Sequence, residues 1–394
     1  MSDKTVLVLA PFYNFFMKGY IEGLASQVKK IHVFVHYNKI NEITRILPPS
    51  KNIDYLKKFN TENLVKGNNR PENVELHLVG LTYFKKDGEN FKLGDMLYNK
   101  YVEIIDRQGI DFDVINAHHT FPRGYVGLKL RERYNRPVVL TVHENKDLLM
   151  DEYQSKNDVY RNVWKKSDLI FRVNKFDMIY IRKFNRKVEY LPNGYSPSIL
   201  VRIDKNKARK HLDLINDSKI VFTLGDLIPR KGLIHLINAM KKIIEKDVRV
   251  FCYIGGKGPQ RAELEELISE YGLEDNVKLL GFIEDEDLKY WMSASDLFVL
   301  SSLSEGNPTV MFESLGIGLP FIGTRVGGVS DIINSEKYGL LVDPGDEKDL
   351  EQKISEGLKR DWNYHGILSY GRDFTWENVA LRSMKLMEDH GIFY

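Results

Sequence analysis

The chain has 394 residues, of which 43% are hydrophobic and 28% charged, with a formal net charge of +2. That length exceeds what one hydrophobic core usually reaches, so two domains are expected, and the composition excludes a disordered chain. A single cysteine, Cys252, excludes an intramolecular disulfide and a cysteine-rich zinc site, and no apolar run reaches the ~18 residues that span a bilayer.

Strands are expected near 4–11, 31–36, 74–79, 113–117, 137–143, 168–173 and 188–191, and then near 219–225, 248–255, 277–280, 296–301, 319–323 and 340–342. These runs are short and almost continuously apolar, as strands covered on both faces must be. Helical stretches between them imply parallel sheets with right-handed crossovers. The first strand begins at once, without a basic head or cleavage site, which places the chain in the cytoplasm. Residues 39–73 are polar and rich in Pro, Asn and Lys, and read as a flexible excursion. The turn formers Pro192-Asn193-Gly194 mark a boundary. Cys252 sits in the apolar run Val250-Phe251-Cys252-Tyr253-Ile254, which reads as a buried strand. Residues 261–271 form an amphipathic helix with Leu264, Leu267 and Ile268 on one face, and 374–394 read as a closing helix. The expected domains are 1–195, 196–373 and the final helix 374–394, with an α/β fold of two doubly wound sheets.

Charge divides unevenly. Residues 1–195 hold 32 Lys+Arg against 23 Asp+Glu, a net of +9, and 196–394 hold 25 against 32, a net of −7. The densest basic run, 156–187, has ten Lys/Arg and three acids. It reads either as a solvated face or as a contact with an anionic membrane surface at the inner face. No motif accompanies it that would bind nucleic acid.

The chemistry concentrates in Ser301-Ser302-Leu303-Ser304-Glu305-Gly306-Asn307-Pro308-Thr309-Val310-Met311-Phe312-Glu313. A strand ends near Leu300, a small polar loop follows, and Pro308 can open a helix. Free backbone N–H groups and the dipole of such a helix N-terminus suit phosphate. Glutamates eight apart occur three times, at 144/152, 266/274 and 305/313, so spacing alone selects nothing. Only 305/313 spans a strand–loop–helix junction. No metal site is evident.

This stretch, with Gly318, Pro320 and Val326-Gly327-Gly328, resembles the donor-site signature of retaining glycosyltransferase family 4. That family has the GT-B fold, two Rossmann-like domains facing a cleft. The resemblance extends through Gly225-Asp226-Leu227-Ile228-Pro229-Arg230-Lys231-Gly232, Gly256-Lys257-Gly258-Pro259, the segment ending at Phe282, Leu191-Pro192-Asn193-Gly194 and Phe374-Thr375-Trp376-Glu377. It implies a nucleotide-sugar co-substrate such as a UDP- or GDP-sugar, no other cofactor, and a sugar or lipid-linked acceptor. Glu313 would hold the ribose hydroxyls, and Arg230 and Lys231 the diphosphate. Glu305 would orient the donor sugar. The backbone of Gly306, Asn307, Pro308, Thr309 and Val310, with Phe282, would line the same site. In the first half, Asn116-Ala117-His118-His119 resembles the family strand whose terminal histidine faces the transferred sugar. His118 takes that place beside Glu305 and Lys231 as the catalytic set, with His143 on the acceptor side. On a strand, His118 and His119 would point to opposite faces. Gly19 resembles the first-loop glycine whose backbone approaches substrate.

Three departures stand out. Asp226 occupies a position where many members have a phosphate-binding arginine, leaving Arg230 and Lys231, or Arg325, to do that work. Asn116 replaces a frequent histidine. Phe12-Tyr13-Asn14-Phe15-Phe16-Met17 replaces a glycine pair and would either meet an apolar acceptor or join the core. A sugar-nucleotide epimerase, a dinucleotide-dependent oxidoreductase and a non-catalytic nucleotide-binding subunit are the alternatives. The second is disfavoured because Gly256-Lys257-Gly258-Pro259 lacks the third glycine of the dinucleotide fingerprint.

Overall fold

A computed structural model describes residues 2–46, 59–65, 69–84 and 91–393, without the side chains of Phe15 and Phe16. Part of the excursion expected at 39–73 lies outside the described residues. The chain forms two compact units, Met1–Pro192 with Trp376–Tyr394, and Asn193–Thr375. The final helix, Trp376–Asp389, therefore belongs to the first unit.

The first unit carries seven parallel strands: β1 (Ser2–Ala10), β2 (Val28–Asn38), β3 (Val74–Leu81), β4 (Val114–His118), β5 (Val138–Val142), β6 (Leu169–Arg172) and β7 (Val188–Tyr190). Their order is β3-β2-β1-β4-β5-β6-β7. Alternation along β1 sends Val6, Val8 and Ala10 into one core and Leu7 and Leu9 into the other. The first core is closed by the helices Phe15–Ala25 and Trp376–Asp389, and the second by Phe91–Gln108. β2 starts three residues earlier than expected, because Val28 and Lys30 pair with Ser2 and Thr5 of β1 through their backbones while the Lys30 side chain stays exposed.

The second unit repeats the plan with β8 (Lys219–Leu224), β9 (Val250–Gly255), β10 (Val277–Gly281), β11 (Leu297–Leu300), β12 (Phe321–Thr324) and β13 (Gly339–Val342), in the order β10-β9-β8-β11-β12-β13. All thirteen expected strands are present. Strand order reverses between β1 and β4 in the first unit and between β8 and β11 in the second. Loops leaving the carboxyl ends of such neighbours diverge and open a crevice for ligand. His118 ends β4, while the loops carrying Lys231 and Glu305 follow β8 and β11. The chain enters and leaves the second unit side by side, where Tyr195 N donates to Phe374 O at 3.0 Å.

Candidate active site

In the second unit, Glu305 is buried at the centre of a tight polar cluster. Lys231 Nζ donates to its Oε1 at 2.6 Å, Ser302 Oγ to the same oxygen at 2.7 Å, and Arg230 Nη1 to its Oε2 at 3.0 Å. Burial pushes the carboxyl up, but Lys231, Arg230 and Ser302 together outweigh it and hold Glu305 below the ordinary carboxylate range. Backbone contacts fix the two loops. Arg230 Nη1 also donates to Ser304 O at 2.6 Å, and Ser301 Oγ to Lys231 O at 3.0 Å. Gly232 has φ +60, and a Cβ there would stand 2.2 Å from Ser301 O. Gly327, with φ +52, passes so close that a Cβ would meet the carbonyl oxygens of Glu305 and Gly306 at 2.3 Å. Gly328 N donates to Gly306 O at 2.8 Å.

Helix Thr309–Gly316 begins one residue later than expected, with Pro308 as its N-cap in extended conformation. Its first amides lack partners within the helix. Glu313 lies just over one turn in, and its carboxylate makes no hydrogen bond among the described residues. Burial, with a smaller push from Asp285, raises it to about 7. Two more polar atoms of this loop, Ser304 Oγ and Asn307 Nδ2, are buried without a partner among the described residues. Asn307 is held by Asn193, whose backbone N donates to Asn307 Oδ1 at 3.0 Å and whose Nδ2 donates to Asn307 O at 2.7 Å. Phe282 follows β10, half exposed, with Lys257 Nζ 5.5 Å from its ring. The Arg325 guanidinium is engaged by Asp343 at 3.3 Å.

In the first unit, His118 is buried, with Nδ1 at 2.9 Å from His143 Nε2 and its own Nε2 without a partner among the described residues. Burial, then the neighbouring His143, His119 and Arg123, holds it neutral, well below the ordinary histidine range. Tyr20 packs edge-on at 5.5 Å, and Asn116 Nδ2 donates to the Tyr20 hydroxyl at 3.0 Å. Asn116 thus fastens Tyr20 in the core. His119 does not point away from His118. The strand ends at His118, and His119 turns into the left-handed region at φ 70, which brings both rings against His143 at 5.2 Å. His119 Nδ1 and Thr120 N then meet Glu144 Oε1 at 3.2 and 3.0 Å. Burial and the Glu144 charge push Glu152 well above the ordinary carboxylate range.

Gly19 is buried inside helix Phe15–Ala25 rather than in a loop, because the helix starts directly after Asn14 and no glycine pair delays it. Tyr13 and Met17 join the core, and the Phe15 and Phe16 side chains lie outside the described residues. Of the basic run, Arg172 is fully buried against Asp177 and Arg161 is tied to Asp158, whereas Lys156, Lys165, Lys166, Lys175, Arg182, Lys183, Arg186 and Lys187 are exposed. No described helix is long and apolar enough to cross a membrane. Ser302, Ser304, Asn193, Glu144 and Glu152 escaped the sequence reading of the sites. The sequence named them only as parts of a loop, a boundary or a spaced pair, and the partners of Asn193 and Glu144 come from distant segments.

Residues 204–373 match the family model for glycosyl transferases group 1, and residues 66–198 match that for glycosyltransferase family 4. An uncharacterised glycosyltransferase of Methanocaldococcus jannaschii is 27% identical over 371 residues, covering 88% of this chain and 99% of that one. Sucrose-phosphate synthase from Thermosynechococcus elongatus superposes with a TM-score of 0.75 at 21% identity, covering 98% of each chain. HepE of Anabaena, in complex with UDP-glucose, superposes with a TM-score of 0.71 at 19% identity, covering 98% of this chain and 100% of that one. These likenesses show the fold, two parallel-sheet Rossmann-like domains of the GT-B class.

Proposed function

We propose, from the premise that domain composition makes this chain a group 1 glycosyltransferase, that it moves a sugar from a nucleotide-sugar donor to a glycan, lipid-linked or small-molecule acceptor with retention of configuration. The observation that carries the donor half is the Glu313 carboxylate, raised to about 7 and without a hydrogen bond among the described residues. Such a group is costly to leave unmet, and a vicinal diol of a ribose supplies two O–H donors to its two oxygens.

Arg230 and Lys231 supply the diphosphate site. In the free protein both bind Glu305, yet a guanidinium has five N–H donors and an ammonium three, so each keeps donors for phosphate oxygens. When the C1–oxygen bond of the donor breaks, its electron pair goes to the diphosphate, and these cations stabilise the charge that develops there. No side-chain acid is required, since a neutralised diphosphate leaves readily. The acceptor oxygen bonds to C1, and its proton passes to the departing diphosphate, which carries the electron pair of the broken bond. Glu305, kept ionised and in one orientation by three donors, holds hydroxyls of the transferred sugar. In the first unit, the neutral His118, whose Nε2 has no partner among the described residues, suits a hydrogen bond to a sugar hydroxyl. HepE binds UDP-glucose, which supports a nucleotide-sugar donor.

A thermal-shift panel of UDP, GDP, ADP and their sugars tests the reading. One nucleotide series is expected to raise the melting temperature, and Lys231→Ala to cut sugar transfer by about a hundredfold or more. A panel in which no nucleotide shifts the transition, or a Lys231→Ala protein with unchanged turnover, defeats it.

A further inference from the structure

Away from these sites, three metal-ligand side chains converge on β2 and β3. His32 and Glu75 are register partners on the two parallel strands, and His77 lies two residues beyond Glu75 on the same face. His32 Nδ1 is 3.1 Å from His77 Nε2 and 3.5 Å from Glu75 Oε2, and His77 Nε2 is 3.7 Å from Glu75 Oε1. Both rings are buried, whereas the carboxylate is 46% exposed. From these separations we propose that His32, Glu75 and His77 form a binding site for a divalent transition metal, zinc being the best match.

Three arguments carry it. Zinc bonds of about 2.0–2.1 Å to nitrogen and oxygen in tetrahedral array place neighbouring ligand atoms about 3.3 Å apart. The two nitrogens stand 3.1 Å apart and each lies 3.5–3.7 Å from one or the other Glu75 oxygen, so a small turn of this exposed side chain completes one face of a tetrahedron. A hydrogen bond between the imidazoles would account for the closest pair but not for the carboxylate. Second, the donor set suits the ion, since two imidazole nitrogens and a carboxylate oxygen make up a known zinc ligand set that leaves a fourth position open. With the ring protons on His32 Nε2 and His77 Nδ1, the facing lone pairs and one carboxylate oxygen can bind the ion. Third, the site faces water through Glu75, which gives entry and a solvent ligand for the fourth vertex. Lys30 Nζ, 2.9 Å from Glu75 Oε2, is the competing cation. It is half exposed, and such surface pairs yield readily.

Position gives the site a structural purpose. β3 is the edge of its sheet, and 35 residues, 39–73, separate it from β2. An ion bonded to both strands would pin that edge and close the long connection, where a clip gains most. The ligands sit in the amino-terminal halves of β2 and β3, whereas His118 stands at the carboxyl end of β4, the central strand of the sheet.

The full chain, stripped with a chelator, is titrated with Zn²⁺ by calorimetry and with Co²⁺ by visible absorption. One equivalent of Zn²⁺ is expected, with a rise in melting temperature and four-coordinate cobalt bands. Glu75→Gln and His77→Gln should each weaken Zn²⁺ more than about tenfold, since even outer-sphere partners of a ligand cost that much. Glu75 is exposed, so its variant folds whatever happens to the histidine variant. Absence of Zn²⁺ binding by the wild-type chain, or an unchanged affinity in Glu75→Gln, overturns the proposal.

Discussion

Glu305 and Glu313 sit eight residues apart on one strand–loop–helix and carry opposite shifts for one reason, the presence or absence of donors. Glu305 is deeply buried yet ionised because Lys231, Arg230 and Ser302 meet it. Glu313 meets none and rises to about 7. Between its ordinary value of 4.5 and about 7, the folded protein binds a proton that the unfolded chain has lost. Stability contributed by Glu313 is therefore complete below that window, falls as pH rises through it, and levels off above. Glu313→Gln, which cannot ionise, should be more stable than wild type at pH 8 by about 1 kcal/mol, allowing for partial exposure, or a few degrees in melting temperature. Nucleotide affinity should fall about tenfold at pH 8 in the same variant, because a neutral acceptor replaces a charged one. Equal melting curves for the two proteins at pH 8 would contradict the burial argument, and equal nucleotide titrations would contradict the ribose role.

At the scale of elements, the candidate site depends on where backbones touch. Gly327 lies against the Glu305 and Gly306 carbonyls at positive φ, so the turn after β12 props the loop after β11. Gly327→Ala should destabilise the second unit by about 1–3 kcal/mol from backbone strain, with further loss from the clash. Donor affinity should drop with it, read by melting and nucleotide titration; a variant matching wild type in both would show that the loop supports itself. The strand pattern and the Glu305–Glu313 junction were legible because both are local. A short apolar run states its own burial, and a Gly-Asn-Pro loop states its own turn. The Lys231–Glu305 bond joins residues 74 apart, and His119–Glu144 joins residues 25 apart across neighbouring strands. Such pairings exist only once strand order is known. His119 was misread for a related reason, since a strand's end cannot be located to one residue from its pattern.

Across the whole molecule, the basic excess of the first half survives folding in reduced form. Arg172 and Arg161 are spent on internal partners, but eight of the ten cations in the run remain at the surface with exposed Phe176 and Ile179 among them. That mixture suits an anionic lipid surface, where each cation adds about 1 kcal/mol and apolar side chains insert. Binding to phosphatidylserine-containing vesicles should fall steeply with salt and weaken when Lys183, Arg186 and Lys187 are replaced by Gln. Sedimentation showing no binding at low salt, or binding that ignores salt, would remove the membrane from the account.

The placement of helix Trp376–Asp389 bears on how the protein is made. It packs on helix Phe15–Ala25 so closely that a Cβ at Gly23 would stand 2.6 Å from Trp376 O, and it buries Val379, Ala380, Met384 and Met387. This helix leaves the ribosome only after the whole second unit, whereas the sheet it covers precedes that unit in the chain. During translation the second unit can close on its own segment, from Asn193 to Thr375, while the first waits with an apolar face uncovered. A chain stopped after Thr375 should thus keep a folded second unit and a sticky first one. Limited proteolysis and dye binding would report this, and a first unit as protease-resistant as in the full chain would argue against it.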